Sequence, residues 1–212
     1  YLIAKYSMAK ASTSLPAPIF NIINGGKHGA GNLDFQEFHI IPARGFSYST
    51  ALQCGEEIYQ ILGNVLKHRN AIHSVGAEGG YAPNLFTNKD ALEVIVEAIN
   101  QTKYKLNRDV FLGLDVAASE FYSGDKYTIK DTADPLTAKG LLDYYSQIDT
   151  EYHLISLEDP FHQDDWQNWA TITHELPGVM IVGDDFLATN KDRLLKAIAD
   201  KAANAILVKP NQ

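Results

Sequence analysis

Apolar positions along the chain follow two rhythms, short runs and longer stretches with a helical repeat. The short runs lie at 18–23, 35–41, 110–115, 154–158, 179–184 and 205–209, the first interrupted by Asn21 and the second by Gln36, Glu37 and His39. Such runs suit strands buried on both faces, as in a parallel sheet covered by helices. Between them, Leu52, Tyr59, Leu62 and Leu66 predict a helix over 49–68. A capping-box-like Thr87-Asn88-Lys89-Asp90 opens a second helix with Leu92, Ile95, Val96 and Ile99 on one face. Further helices are marked by Leu141, Leu142, Tyr145 and Ile148, and by Trp166, Trp169, Ala170 and Thr173. Thr189-Asn190-Lys191-Asp192 starts the last one, with Leu194, Leu195, Ile198 and Ala202 turned inward. Phe121-Tyr122 and 126–129, around Ser123-Gly124-Asp125, predict a hairpin excursion.

The fold class that follows is α/β, a β/α barrel incomplete in this chain, with six candidate strands of a closed eight. From Glu158 to Asp184 to Lys209 the step is about 25 residues, room for a strand, a helix and two loops. Right-handed crossovers put every strand's C-terminal end on one side, so Asp115, Glu158, Asp184 and Lys209 converge there. Three carboxylates without a balancing arginine call for a divalent cation, and oxygen-only ligands favour Mg²⁺ over Zn²⁺. A lysine beside that cation gives up its proton more easily, which makes Lys209 a general-base candidate. Glu37, set among apolar neighbours, and Glu78, in a glycine-rich loop, are candidate acids on the opposite wall. Strand alternation points Asp159 away from the face that Glu158 uses, so Glu158 alone of the pair reaches the metal. The constellation is that of proton abstraction beside a metal-bound carboxylate.

Charge and composition narrow the partners. A net charge of −8 and a pI near 5.3 disfavour nucleic acid and anionic membranes, and suit a cation. The one cysteine, Cys54, lies inside a helical pattern, so a quiet thiol and a reducing compartment are expected. No apolar run approaches the ~18 residues of a membrane span and no leader pattern is present, so a cytoplasmic location is expected. The chain starts at Tyr1 without methionine and stops just after a strand, which suggests an excerpt. Residues 1–14 read as a linker or the end of a preceding domain, and 15–212 as a partial barrel domain.

The blocks Asn24-Gly25-Gly26-Lys27-His28, Gln36-Glu37-Phe38, Glu78-Gly79-Gly80-Tyr81-Ala82-Pro83-Asn84 and Leu114-Asp115-Val116-Ala117-Ala118-Ser119-Glu120-Phe121-Tyr122 occur in that order. Leu157-Glu158-Asp159-Pro160, Asp184-Asp185 and Val208-Lys209-Pro210-Asn211-Gln212 follow. As an ordered set covering most of the chain, they resemble the enolase family. The resemblance implies an enolase-type TIM-like barrel and Mg²⁺-dependent dehydration of 2-phosphoglycerate, a small phosphorylated three-carbon acid, to phosphoenolpyruvate in glycolysis. It matches Asp115, Glu158 and Asp184 to metal ligands and Lys209 to the base that removes the C2 proton. Glu78 matches the acid that assists loss of the C3 hydroxyl, with Glu37 beside it, and His28 a loop histidine that closes over the substrate. His28, Glu37 and Lys209 thereby become substrate contacts.

Two departures stand out. Ala77 occupies the place where the family usually carries Asp before the loop glutamate. The family also needs an amino-terminal domain with a closing serine loop, and two further barrel strands carrying a His-Arg-Ser contact and a second lysine. The expectation is therefore an active lyase, homodimeric, in the full-length parent, with little or no activity in this piece alone. A non-catalytic enolase-like scaffold or binding protein is the alternative of a different class. Another acid-sugar or amino-acid member of the superfamily would share the metal triad but not the glycine-loop blocks.

Overall fold

The computed structural model describes residues 15–29, 33–71, 74–76 and 78–211, so the expected linker at 1–14 lies outside the described residues. In chain order the main elements are β1 (Phe20–Asn24), β2 (Glu37–Pro42), α1 (Tyr48–His68), β3 (Ser74–Val75), β4 (Tyr81–Ala82) and α2 (Asn88–Asn100). Then come β5 (Val110–Asp115), the hairpin β6 (Tyr122–Ser123) and β7 (Lys126–Tyr127), and α3 (Ala138–Tyr152). The chain continues through β8 (Leu154–Glu158), α4 (Trp166–Glu175), β9 (Met180–Gly183), α5 (Lys191–Asp200) and β10 (Ala205–Ile206).

One sheet runs β10-β9-β8-β5-β2-β1-β4-β3 and does not close on itself. The six runs read from the sequence are its contiguous part from β10 to β1, and the two-residue strands β3 and β4 extend it beyond β1. An incomplete barrel is thus the observed architecture. The strands β5, β8, β9 and β10 are parallel, as the alternation of strands and helices predicts. β2 is not: it runs antiparallel to both β1 and β5. No long helix separates β1 from β2, and a strand that returns without a crossover helix pairs antiparallel. The expectation that all C-terminal ends share one side is therefore corrected for β2, whose first residue, Glu37, takes that place. Glu37 pairs with Asn24 on one side and Asp115 on the other.

Helix starts follow local chemistry. Ser47 accepts a hydrogen bond from the Thr50 N–H at the head of α1, and Thr87 and Asp90 complete the capping box of α2. Asn88 is fully buried, and its Oδ1 accepts from the N–H groups of Asp34 and Phe35 at 3.1 and 3.0 Å, anchoring the segment before β2. In the α1 stripe Leu62 and Leu66 are buried while Leu52 is half exposed. In α5 Ala197 and the following Ala202 are buried, but Leu195 and Ile198 are 55% and 64% exposed, against expectation. The helix presents the Leu194–Ala197 face to its neighbours, so the adjoining positions, one residue on, turn away. Cys54 is buried on α1, where burial pushes its thiol up to about 11, leaving it inert. No helix among the described residues is long and apolar enough to cross a membrane.

Gly113 sits mid-β5, in register with His39 on one side and Ser156 on the other, and both of these are buried. A Cβ there would meet Ser156 Oγ at 2.6 Å and Ile41 Cδ1 at 3.1 Å. Its bareness admits a polar layer just beneath the strand ends that carry charge.

Candidate active site

The first wall is built from strand ends in the parallel half of the sheet. Pairing sets Asp115 beside Glu158 and Glu158 beside Val182, and Asp184 follows two residues on. Asp115 is buried; its Oδ2 accepts from Gln36 Nε2 at 3.1 Å and its Oδ1 from the Ala117 N–H at 3.1 Å. Burial and the neighbouring Asp159 and Glu37 push its carboxyl well above the usual range. Glu158 is driven up to about 9, first by burial, then by Asp115, Asp159 and Asp184. Each of these shifts records carboxylates facing carboxylates with no arginine between them. An all-oxygen anionic set of this kind is what a hard divalent cation satisfies.

Lys209 lies three residues beyond β10, and its Nζ meets Asp184 Oδ2 at 2.6 Å. Its backbone N–H donates to Thr189 Oγ1 at 3.2 Å. The hydrogen bond that Lys209 donates to Asp184 raises the lysine pKa, with burial opposing.

The second wall comes from the start of β2 and the two glycine loops. Glu37 Oε2 contacts His39 Nε2 at 2.9 Å, and its Oε1 lies 3.4 Å from His28 Nδ1. Glu78 Oε2 is 3.5 Å from the same His28 nitrogen. Burial alone would raise the Glu37 carboxyl, but hydrogen bonds from His39, Glu78 and His28 outweigh it and hold it at about 2. Glu78 moves the other way, raised first by its hydrogen bond to ionised Glu37 and then by burial. Of the two carboxyls, Glu78 is thus the one that holds a proton more tightly. Tyr59 O–H donates to the Gly79 carbonyl at 2.7 Å and tethers the loop that carries Glu78.

Among the described residues, His28, Glu37 and Glu78 form the one trio whose potential ligand atoms lie within 4.8 Å of one another. Asp115, Glu158 and Asp184 stand further apart. Of the three, Asp184 is paired with Lys209. The residues singled out in the sequence nonetheless line one end of the sheet, in two groups that meet where Glu37 pairs with Asp115.

Two contributors were not singled out for the site in the sequence. His39 backs Glu37 from two residues along the same strand face, and period-2 alternation is the signal that finds it. Asp159 is 4% exposed and binds the turn after β9 through its side chain; no periodicity marks it. Ala77 lies outside the described residues.

Comparison with known proteins bears on this arrangement directly. A family model described as "Enolase, C-terminal TIM barrel domain" matches residues 12–212. The chain belongs to the enolase family. An enolase from Natranaerobius thermophilus is 45% identical over 203 residues, covering 95% of this chain. The chain spans about half the length of that curated relative, 48%.

Proposed function

We propose that the full-length protein containing this chain is a Mg²⁺-dependent lyase that dehydrates 2-phosphoglycerate to phosphoenolpyruvate. The observation that carries the reading is the opposition of two walls: Lys209 on Asp184 at one side, and the proton-sharing pair Glu37–Glu78 at the other. Asp115, Glu158 and Asp184 would hold the ion. Bound Mg²⁺ supplies positive charge for the negative charge that develops on the substrate carboxylate. Lys209, as a free amine, would take the C2 proton. The electron pair released forms the C2–C3 double bond as the C3–O bond breaks. Glu78 donates its proton to the departing hydroxyl, so that water leaves. Glu37, kept ionised by His39, holds that proton on Glu78 beforehand, and His28 covers the substrate from its loop.

The chain's own contribution is both walls; with one end of the sheet open, the piece alone has little or no turnover. A homodimer in the cytoplasm is the assembly and location we propose for the parent, on family grounds. Retention of both walls favours the enzyme over a non-catalytic scaffold. The test is Lys209→Ala in the full-length protein, following turnover and the exchange of the C2 proton with solvent deuterium. Both fall about 10²–10⁴-fold, the usual contribution of a positioned base. Undiminished C2 exchange would remove Lys209 from that role.

A further inference from the structure

Asp159 follows Glu158 directly, and its side chain leaves the face that Glu158 uses. It goes instead to the next strand end. Its Oδ1 accepts the Asp184 N–H at 3.1 Å and the Phe186 N–H at 3.4 Å, and its Oδ2 accepts the Asp185 N–H at 2.7 Å. Its backbone is engaged as well. The Asp159 N–H donates to the Val182 carbonyl at 3.0 Å, and its carbonyl accepts from the Ala118 N–H at 3.0 Å. One residue therefore ties together the segments that follow β5, β8 and β9, each of which carries one acid of the first wall.

The backbone at Asp159 is left-handed, with φ +43°. Aspartate is among the few non-glycine types that tolerate this region, at some cost. That twist turns the residue out of the strand's alternation and aims the carboxylate at the three N–H groups. Beyond them the turn is clamped: Phe186 stacks on Trp169 with ring centroids 3.9 Å apart, and Arg193 Nε donates to the Phe186 carbonyl at 2.5 Å. Asp184 is thus held from behind by Asp159 through its backbone while its side chain faces Lys209 in the site.

We propose that Asp159 is the positioning residue of the metal centre, fixing Asp184 relative to Glu158 and Asp115 without itself binding the ion. The proposal rests on the reading of those three acids as the ligand set. Residues behind a ligand set govern metal affinity in this way, typically by about 10–100-fold. A residue that served only folding would lower the melting temperature and leave the affinity of the folded protein alone.

The test is a calorimetric titration of MgCl₂ into the full-length protein, comparing wild type with Asp159→Asn and Asp184→Ala. Asparagine tolerates the same backbone and shape but sets an NH₂ group against one of the three N–H donors. Asp159→Asn should weaken Mg²⁺ binding about 10–100-fold with a melting temperature close to wild type, and hydrogen exchange at 184–186 should speed up. Asp184→Ala should weaken binding more. Loss of binding in Asp184→Ala with wild-type affinity in Asp159→Asn overturns the proposal and leaves the ligand assignment standing. Unchanged binding in Asp184→Ala overturns both. Should Asp159→Asn not fold, Asp159→Glu, which keeps the charge but moves it out of register with the N–H groups, replaces it with the same expected and overturning results.

Discussion

Glu37 and Glu158 are the same residue type on the same sheet, both largely shielded from water, yet their carboxyls move in opposite directions. Glu37 is held at about 2 and Glu158 driven to about 9. Burial raises both, so burial does not decide the outcome; the partners do. Glu37 starts a reversed strand and meets two histidines and the carboxyl of Glu78. Glu158 ends a parallel strand and meets chiefly other acids. One wall is thus equipped to hold a proton in a defined place, and the other to accept a cation.

The largest expected effect comes from removing the charge at Glu158. Its folded pKa of about 9 lies above the ordinary 4.5, so between those values the folded state holds a proton that the unfolded state has released. The stability this gives is complete below about 4.5 and is lost as pH rises through about 9. Metal-free full-length protein should therefore become less stable with rising pH, by at most about 1.4 kcal/mol per unit for one proton. Glu158→Gln should flatten that slope in denaturant titrations across pH; an unaltered slope would place the repulsion elsewhere.

A smaller effect is expected at His39. His39→Leu leaves Glu37 buried without its best donor, at a cost of about 1–3 kcal/mol. His39→Gln, which can still donate to Glu37 Oε2, should recover much of it. Equal loss in both variants, measured by chemical unfolding, would mean that His39 acts through packing alone. The smallest effect is expected for Tyr59→Phe, which loses one hydrogen bond to the Glu78 loop, about 0.5–1.5 kcal/mol. The stacking of Tyr59 on Tyr81, with centroids 4.4 Å apart, is kept. Faster hydrogen exchange confined to residues near 78–80 is the expected signature, and exchange that rises throughout α1 would contradict it.

Much of this was legible in the sequence because buried parallel strands write themselves as short apolar runs. All six runs became adjacent strands, and Thr87, Asn190 and Ser123-Gly124-Asp125 announced two helix starts and a hairpin. Asp115, Glu158, Asp184 and Lys209 declared themselves by closing such runs. Strand direction was not legible, since a run of apolar residues reads the same either way; β2 needed the pairing partners of Glu37 to reveal its sense. Leu195 and Ile198 misled because an apolar stripe can be wider than the face a helix uses. The role of Asp159 escaped because alternation says which face a side chain leaves, not which backbone N–H groups it then meets, and φ +43° sets those.

The reversal of β2 also bears on the order in which the chain can assemble. Joining Gln36 to Asp115 closes a separation of 79 residues, whereas Asp159 reaches Asp184, and Asp184 reaches Lys209, across 25 each. Closure entropy grows only slowly with length, but rates fall as contacts become less local. The seam between β2 and β5 is therefore the slow joint of the nascent chain. Once it has formed, each later strand docks over a short reach, so the acids of the parallel half are delivered one at a time, in the order in which a ribosome releases them.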